Sequence, residues 1–128
     1  MSYDLRIAVK VVGAEAGSEY EYAVIAVPER DSPTYNLGTM FRKCSGWDFK
    51  QGEYYNVAEV YPKIERGIAN LTERETEFKQ YDAPNGWGTT ETALLALQSL
   101  KDCIDEISDP NGFTGYKSFP KKLLYVAW

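Results

Sequence analysis

The run Leu5-Arg6-Ile7-Ala8-Val9-Lys10-Val11-Val12 places Leu5, Ile7, Val9 and Val11 on one side of an extended chain. A period of two over that length predicts a strand with one buried face and argues against a helix. A polar loop from Gly13 to Glu19, with two glycines, separates it from a second β-branched and aromatic run, Tyr20 to Val27, which Pro28 ends. The two runs predict an antiparallel hairpin.

The periodicity then changes to that of helices. Asn36 is placed as an N-cap, with a short helix over Leu37 to Lys43 that stops near Gly46. Trp47 to Tyr55 follows as an irregular aromatic loop, or a loop holding one short strand. Val60, Ile64, Ile68 and Leu71 form the apolar stripe of a helix between about 59 and 81. Pro62 is expected in its first turn, where a missing N–H costs nothing. Thr72-Glu73-Arg74-Glu75 has the form of a capping box, so a break at Leu71 is expected, with Phe78 and Tyr81 buried on a second piece.

Asp82-Ala83-Pro84-Asn85-Gly86-Trp87-Gly88 reads as a turn. Thr89 or Thr90 then caps a helix to about Ile107, with Ala93, Leu97, Leu100, Ile104 and Ile107 on its apolar face and Leu94 beside them. Asp109-Pro110-Asn111-Gly112-Phe113 repeats the same turn chemistry. Leu123 to Trp128 is β-prone and is expected to join the hairpin. At 128 residues the chain makes one domain. The order of elements implies an α+β fold: a small antiparallel sheet, the N-terminal hairpin plus a C-terminal strand, covered on one face by two to four helices.

The chain contains no histidine, which removes the commonest general base, metal ligand and partner of a nucleophile. Two cysteines, Cys44 and Cys103, fall in the expected helices and are read as free buried thiols, so a zinc site is not expected. No GxSxG, P-loop or GxGxxG motif occurs, and Gly86-Trp87-Gly88 is read as a helix-entry turn. The net charge of −5 repels phosphate backbones and suits a basic protein surface. No run approaches the length of a membrane span, and the first ten residues lack the pattern of a signal peptide. The expected location is the cytoplasm of a bacterial host cell. No cofactor is implied.

The chain's recognition residues are sought between Pro33 and Tyr55. That segment gathers Tyr35, Phe41, Trp47, Phe49, Tyr54 and Tyr55 among Gly38, Gly46 and Gly52, with Asn36, Arg42 and Asp48 beside them. Rigid aromatic faces next to hydrogen-bonding groups suit binding. Trp47 and Trp87, each framed by glycine, serve either as hot spots or as lids that close the core. Arg42 either grips a carboxylate or phosphate, or forms a surface salt bridge. Asp48 and Glu53 share one loop, which allows carboxylate catalysis but is equally the pattern of two solvated acids. The candidate binding set is Tyr35, Asn36, Arg42, Trp47, Asp48, Tyr54, Tyr55 and Trp87, with no catalytic and no metal-ligating residue assigned.

The motifs SPTYNLG-x-MFR, GWDF-x-QG-x-YY and PNGWGT before an apolar helix resemble a group of small uncharacterised bacterial proteins associated with phages and other mobile elements. The resemblance covers residues 3 to about 107 and brings no activity or site residues with it. It implies a small, acidic, stoichiometric inhibitor of a host defence protein, of the anti-CRISPR type. The alternatives are a binder of a nucleotide-like small molecule, clamped by Trp47, Tyr54, Tyr55 and Arg42, and an enzyme using Asp48, Glu53 or a tyrosine. A homo-oligomer is compatible with any of them.

Overall fold

A computed structural model describes residues 4–18, 21–30, 33, 37–48, 50, 52–82, 88–108 and 120–127. In chain order the elements are β1 (Arg6–Lys10), β2 (Tyr22–Ala26), α1 (Gly38–Ser45), β3 (Tyr54–Asn56), α2 (Val57–Glu73), α3 (Glu75–Phe78), α4 (Thr90–Ser108) and β4 (Leu124–Ala127). The four strands form one antiparallel sheet in the order β2-β1-β4-β3. The α+β class and the pairing of a C-terminal strand with the hairpin are as the sequence predicts. The sequence left open whether the aromatic loop held a strand, and it does: β3 forms the edge beyond β4.

The hairpin is shorter than its apolar alternation. Leu5 and Ile7 are buried and Val9 packs against the core, but Val11 lies past the end of β1 and is 38 % exposed. After Val11 donates to the Glu21 carbonyl at 2.7 Å, the chain turns through Gly13 and Gly17, both at positive φ. The loop folds onto Glu21, whose carboxylate accepts the Gly17 N–H at 2.7 Å. A one-residue irregularity between Ile7 and Ala8 shifts the β1–β2 register and bends the strand locally.

The core lies between one face of the sheet and the helices. Ile7, Leu124 and Val126 meet Phe41, Ile64, Leu71, Leu97 and Ile104. Helices α1, α2 and α4 meet tightly at Gly67. A β-carbon there would lie 2.8 Å from Leu97 Cδ1, 3.1 Å from Ser45 Cβ and 3.3 Å from Cys44 Sγ. A residue without a side chain suits this close crossing of α1, α2 and α4. Asn70, one turn later, donates to the Cys44 carbonyl at 2.7 Å and ties α2 to the end of α1.

Three boundaries differ from expectation. The N-cap position of α1 is Leu37, not Asn36, and it makes no side-chain cap; Asn36 lies outside the described residues. Pro62 is five residues past the start of α2, not in its first turn. It is tolerated because it faces solvent, where water can satisfy the carbonyl that loses its partner. The break after α2 falls at Arg74, not Leu71. Thr72 does not cap the new piece: its hydroxyl donates back to the Ile68 carbonyl. Phe78 is nonetheless buried and Tyr81 half-buried against the core.

The start of α4 is doubly secured. Thr89 and Thr92 bond reciprocally, Thr89 N–H to the Thr92 hydroxyl and Thr92 N–H to the Thr89 hydroxyl. Asp82 accepts from both the N–H and the hydroxyl of Thr90, at 2.7 and 2.8 Å. Its charge also lies at the positive end of the helix. At the far end, Asp105 of α4 accepts from the Tyr61 hydroxyl at 2.5 Å and pairs with Lys101 and Lys121 at 2.9 and 3.0 Å. Lys121 lies 3.7 Å over the Tyr61 ring. Partial burial favours the neutral Asp105 acid, yet the three hydrogen bonds together outweigh it and hold the carboxyl below its ordinary value. This clasp joins α2, α4 and the turn that leads into β4.

Candidate binding surface

Among its described residues, the aromatic segment divides between the two faces of the sheet. Trp47 follows Gly46, which ends α1 at φ 74° with its N–H on the Arg42 carbonyl. The Ser45 hydroxyl donates to the Phe41 carbonyl and accepts the Trp47 N–H at 3.0 Å. These bonds turn the indole inward, where it is 2 % exposed and meets the edge of Tyr55 at 5.3 Å. Trp47 is therefore a lid of the core and offers no face to a partner. Tyr55 is half-buried beside it, and its hydroxyl accepts the Lys50 N–H at 2.5 Å. Burial raises the Tyr55 phenol above its ordinary value, the Lys50 N–H partly offsets this, and the negative charges of Glu53 and Asp48 add smaller upward shifts. The two acids thus act on one phenol from exposed positions.

Tyr54 points the other way because neighbours on a strand alternate. It is 43 % exposed and stacks on Tyr22 of β2, centroids 3.9 Å apart and planes 11° from parallel. Tyr125 of β4 meets Tyr22 edge-on at 5.1 Å. Three strands thus contribute tyrosines to the sheet face that the described helices leave uncovered. Ala8, opposite both Val24 and Tyr125 in register, supplies a small residue in the same face. Val24 is 55 % exposed there, and Lys10, opposite Tyr22, lies 3.9 Å from Glu21. Burial raises the Tyr22 phenol above its ordinary value, and Glu21 raises it further.

Arg42 does not join this face. It is exposed on α1 and donates to Thr39 of its own helix at 3.2 Å. The clamp of Trp47, Tyr54, Tyr55 and Arg42 expected for a flat small molecule is therefore not assembled: one member is core, two point to opposite sheet faces and the last lies on a helix. Tyr35, Asn36 and Trp87 lie outside the described residues. Sequence reading missed Tyr22 and Tyr125. Tyr125 carried a signal of phase, since it falls between the buried Leu124 and Val126, whereas Tyr22, beside the exposed Ala23, carried none.

Among the described residues, no group of three or more cysteine or acidic side chains is placed to hold a metal. Cys44 and Cys103 form no disulfide, and burial pushes their thiols up to about 12 and about 11, so neither is a ready nucleophile. No described helix is long and apolar enough to cross a membrane. Comparison of the chain with protein-family models, curated proteins and solved structures gives no match.

Proposed function

We propose that this chain is a non-enzymatic binding protein that engages a protein partner through the tyrosine face of its sheet. The observation that carries the reading is the exposed Tyr54 stacked on Tyr22, with Tyr125 against them and Val24 alongside. Large aromatic faces of low conformational entropy, fixed by one another on a rigid sheet, are the residues that dominate protein interfaces. The stack itself is closed at 3.9 Å, so a flat ligand has no slot between the rings. This favours a protein surface laid over them.

The net charge of −5 favours a partner with basic character and disfavours a nucleic-acid backbone. Together with the motif-level resemblance to phage and mobile-element proteins, this supports a stoichiometric inhibitor of a bacterial host defence protein as the biological role. The test is capture from bacterial lysate by immobilised wild-type chain, Tyr54→Ala, Tyr125→Ala and Lys79→Ala, followed by titration of the purified partner. Support requires a partner that binds wild type and Lys79→Ala alike, one to one, and is weakened about thirtyfold or more by each tyrosine variant. Equal binding by all four proteins would sink the reading.

A further inference from the structure

β2 forms one edge of the sheet, and among the described residues no strand pairs with its outer side. Its sequence, Tyr-Ala-Val-Ile-Ala, contains no charge and no proline, and Val27 follows it. Ala23 and Val24 on the strand and Val27 after it are exposed, the valines at 55 % and 49 %. Exposed strand edges in proteins are ordinarily blunted by lysine, proline, a bulge or a covering element, because free N–H and C=O groups recruit another strand; of these β2 itself carries only the extra residue Ile25, opposite the step between Ile7 and Ala8.

Where β2 ends, the chain passes over α4, with the Arg30 N–H on the Ser99 hydroxyl at 2.8 Å. Between them lies a groove of about 310 Å³ lined by Val27, Pro28, Glu29, Ser99, Asp102, Cys103 and Glu106. Its carboxylates are Glu29 from the β2 exit, and Asp102 and Glu106 one turn apart on α4. Among the described residues none of the three makes an ion pair. Glu106 acts on the Cys103 thiol, raising its pKa further after burial, so its charge lies close to the apolar part of the groove.

We infer that the outer edge of β2 and this groove form one docking site for an extended, apolar segment of another protein that carries an arginine or lysine at the end lying over α4. The strand edge supplies backbone hydrogen bonds without sequence preference, and the groove supplies the choice. The apolar stem of a long basic side chain would lie on Val27, Pro28 and Cys103 while its head meets the three carboxylates. Charge decides the occupant. A segment ending in an acid meets three like charges, and a second copy of β2 has no basic residue within Tyr22–Val27 to place there. The site shares β2 with the tyrosine face but engages its outer edge and α4, and the inference stands whether or not that face binds a partner.

The experiment uses the ¹⁵N-labelled chain and fluorescein-labelled peptides at low salt. In the first peptide two arginines precede alternating valines and threonines, so that antiparallel pairing brings the arginines to the groove. In the second, glutamates replace the arginines. The expected result is saturable binding of the arginine peptide, with amide shifts at Tyr22, Val24 and Val27 and along Ser99 to Glu106. The glutamate peptide should bind at least about tenfold more weakly. Asp102→Lys with Glu106→Lys should reverse the preference, and both positions are exposed, so the variant should fold. Equal affinity for the two peptides would overturn the inference. So would shifts confined to the face of Tyr54 and Tyr125, or concentration-dependent shifts at β2 without peptide, which would assign the edge to a second copy. Loss of peptide binding with tyrosine-dependent capture intact would remove this site and leave the proposed function standing.

Discussion

Tyr54 and Tyr55 are adjacent in β3 yet belong to different halves of the molecule. Tyr55 sits with Trp47 under the helices, held by the Lys50 N–H and closed in by the core. Tyr54 sits on the far side with Tyr22 and Tyr125, fixed by stacking and open to solvent. The same residue type is a packing element on one face and a presented surface on the other. What differs is which face the strand's alternation assigns, not anything in the local sequence.

That contrast is most directly broken at Trp47. Trp47→Ala empties a site that is 2 % exposed and should cost about 3–5 kcal/mol. A denaturant titration showing a loss under about 1 kcal/mol would return Trp47 to the surface. Leu97→Ala should cost about 2–5 kcal/mol by the same cavity argument, since its side chain fills the helix crossing. Gly67→Ala works in the opposite direction, by overfilling. The added methyl meets three neighbours at 2.8 to 3.3 Å, and the strain of about 1–3 kcal/mol outweighs the roughly 1 kcal/mol that alanine adds as a helix former. A variant more stable than wild type would show that α4 can step back from α2.

On the open face the expected stability effects are smaller. Tyr54→Ala loses a stacked pair worth about 0.5–1.5 kcal/mol and little buried area. Its melting temperature should stay within a few degrees of wild type while partner binding falls. A drop as large as that of Trp47→Ala would erase the distinction between the faces. The smallest effect belongs to the Asp105 clasp. Its carboxyl is held below the unfolded value, so its contribution is complete above that value, 3.8, and disappears as pH falls through the lower folded value. The group is about a third exposed, which screens the effect to under about 1 kcal/mol. Wild type and Asp105→Asn should therefore differ in melting temperature near neutral pH and converge in strong acid. A difference that is constant with pH would remove the clasp.

The sequence made the helical core and the hairpin legible because both are periodic. Ala93 to Ile107 repeats at helical spacing and is buried as expected; Leu5 and Ile7 alternate and are buried as expected. The binding surface was less legible, for two physical reasons. Trp47, framed by glycine, looks the same whether the turn at Gly46 sends it out or in. That choice is made by the Ser45 hydroxyl, through bonds with no periodic signature. Tyr22, Tyr54 and Tyr125 come from three distant stretches, and only the strand order brings them together. Arg74 escaped for a related reason, since Thr72-Glu73-Arg74-Glu75 fits a capping box while the Thr72 hydroxyl is already engaged with Ile68.

The place of β4 has a consequence for how the sheet comes into being. It lies between β1 and β3, so neither the hairpin nor β3 can complete its pairing until a strand that follows every helix in the chain has arrived. Ile7 must find Val126 across almost the whole sequence, a closure whose entropy has to be met before its contacts exist. A nascent chain emerging at about 5–20 residues per second therefore holds the Ile7 side of the hairpin unpaired for several seconds after α1 has emerged. During that interval both edges of the hairpin, not only the outer side of β2, are open to other strands. Yield in the cell should then depend on translation speed and chaperone supply more steeply than the stability of the finished fold would suggest.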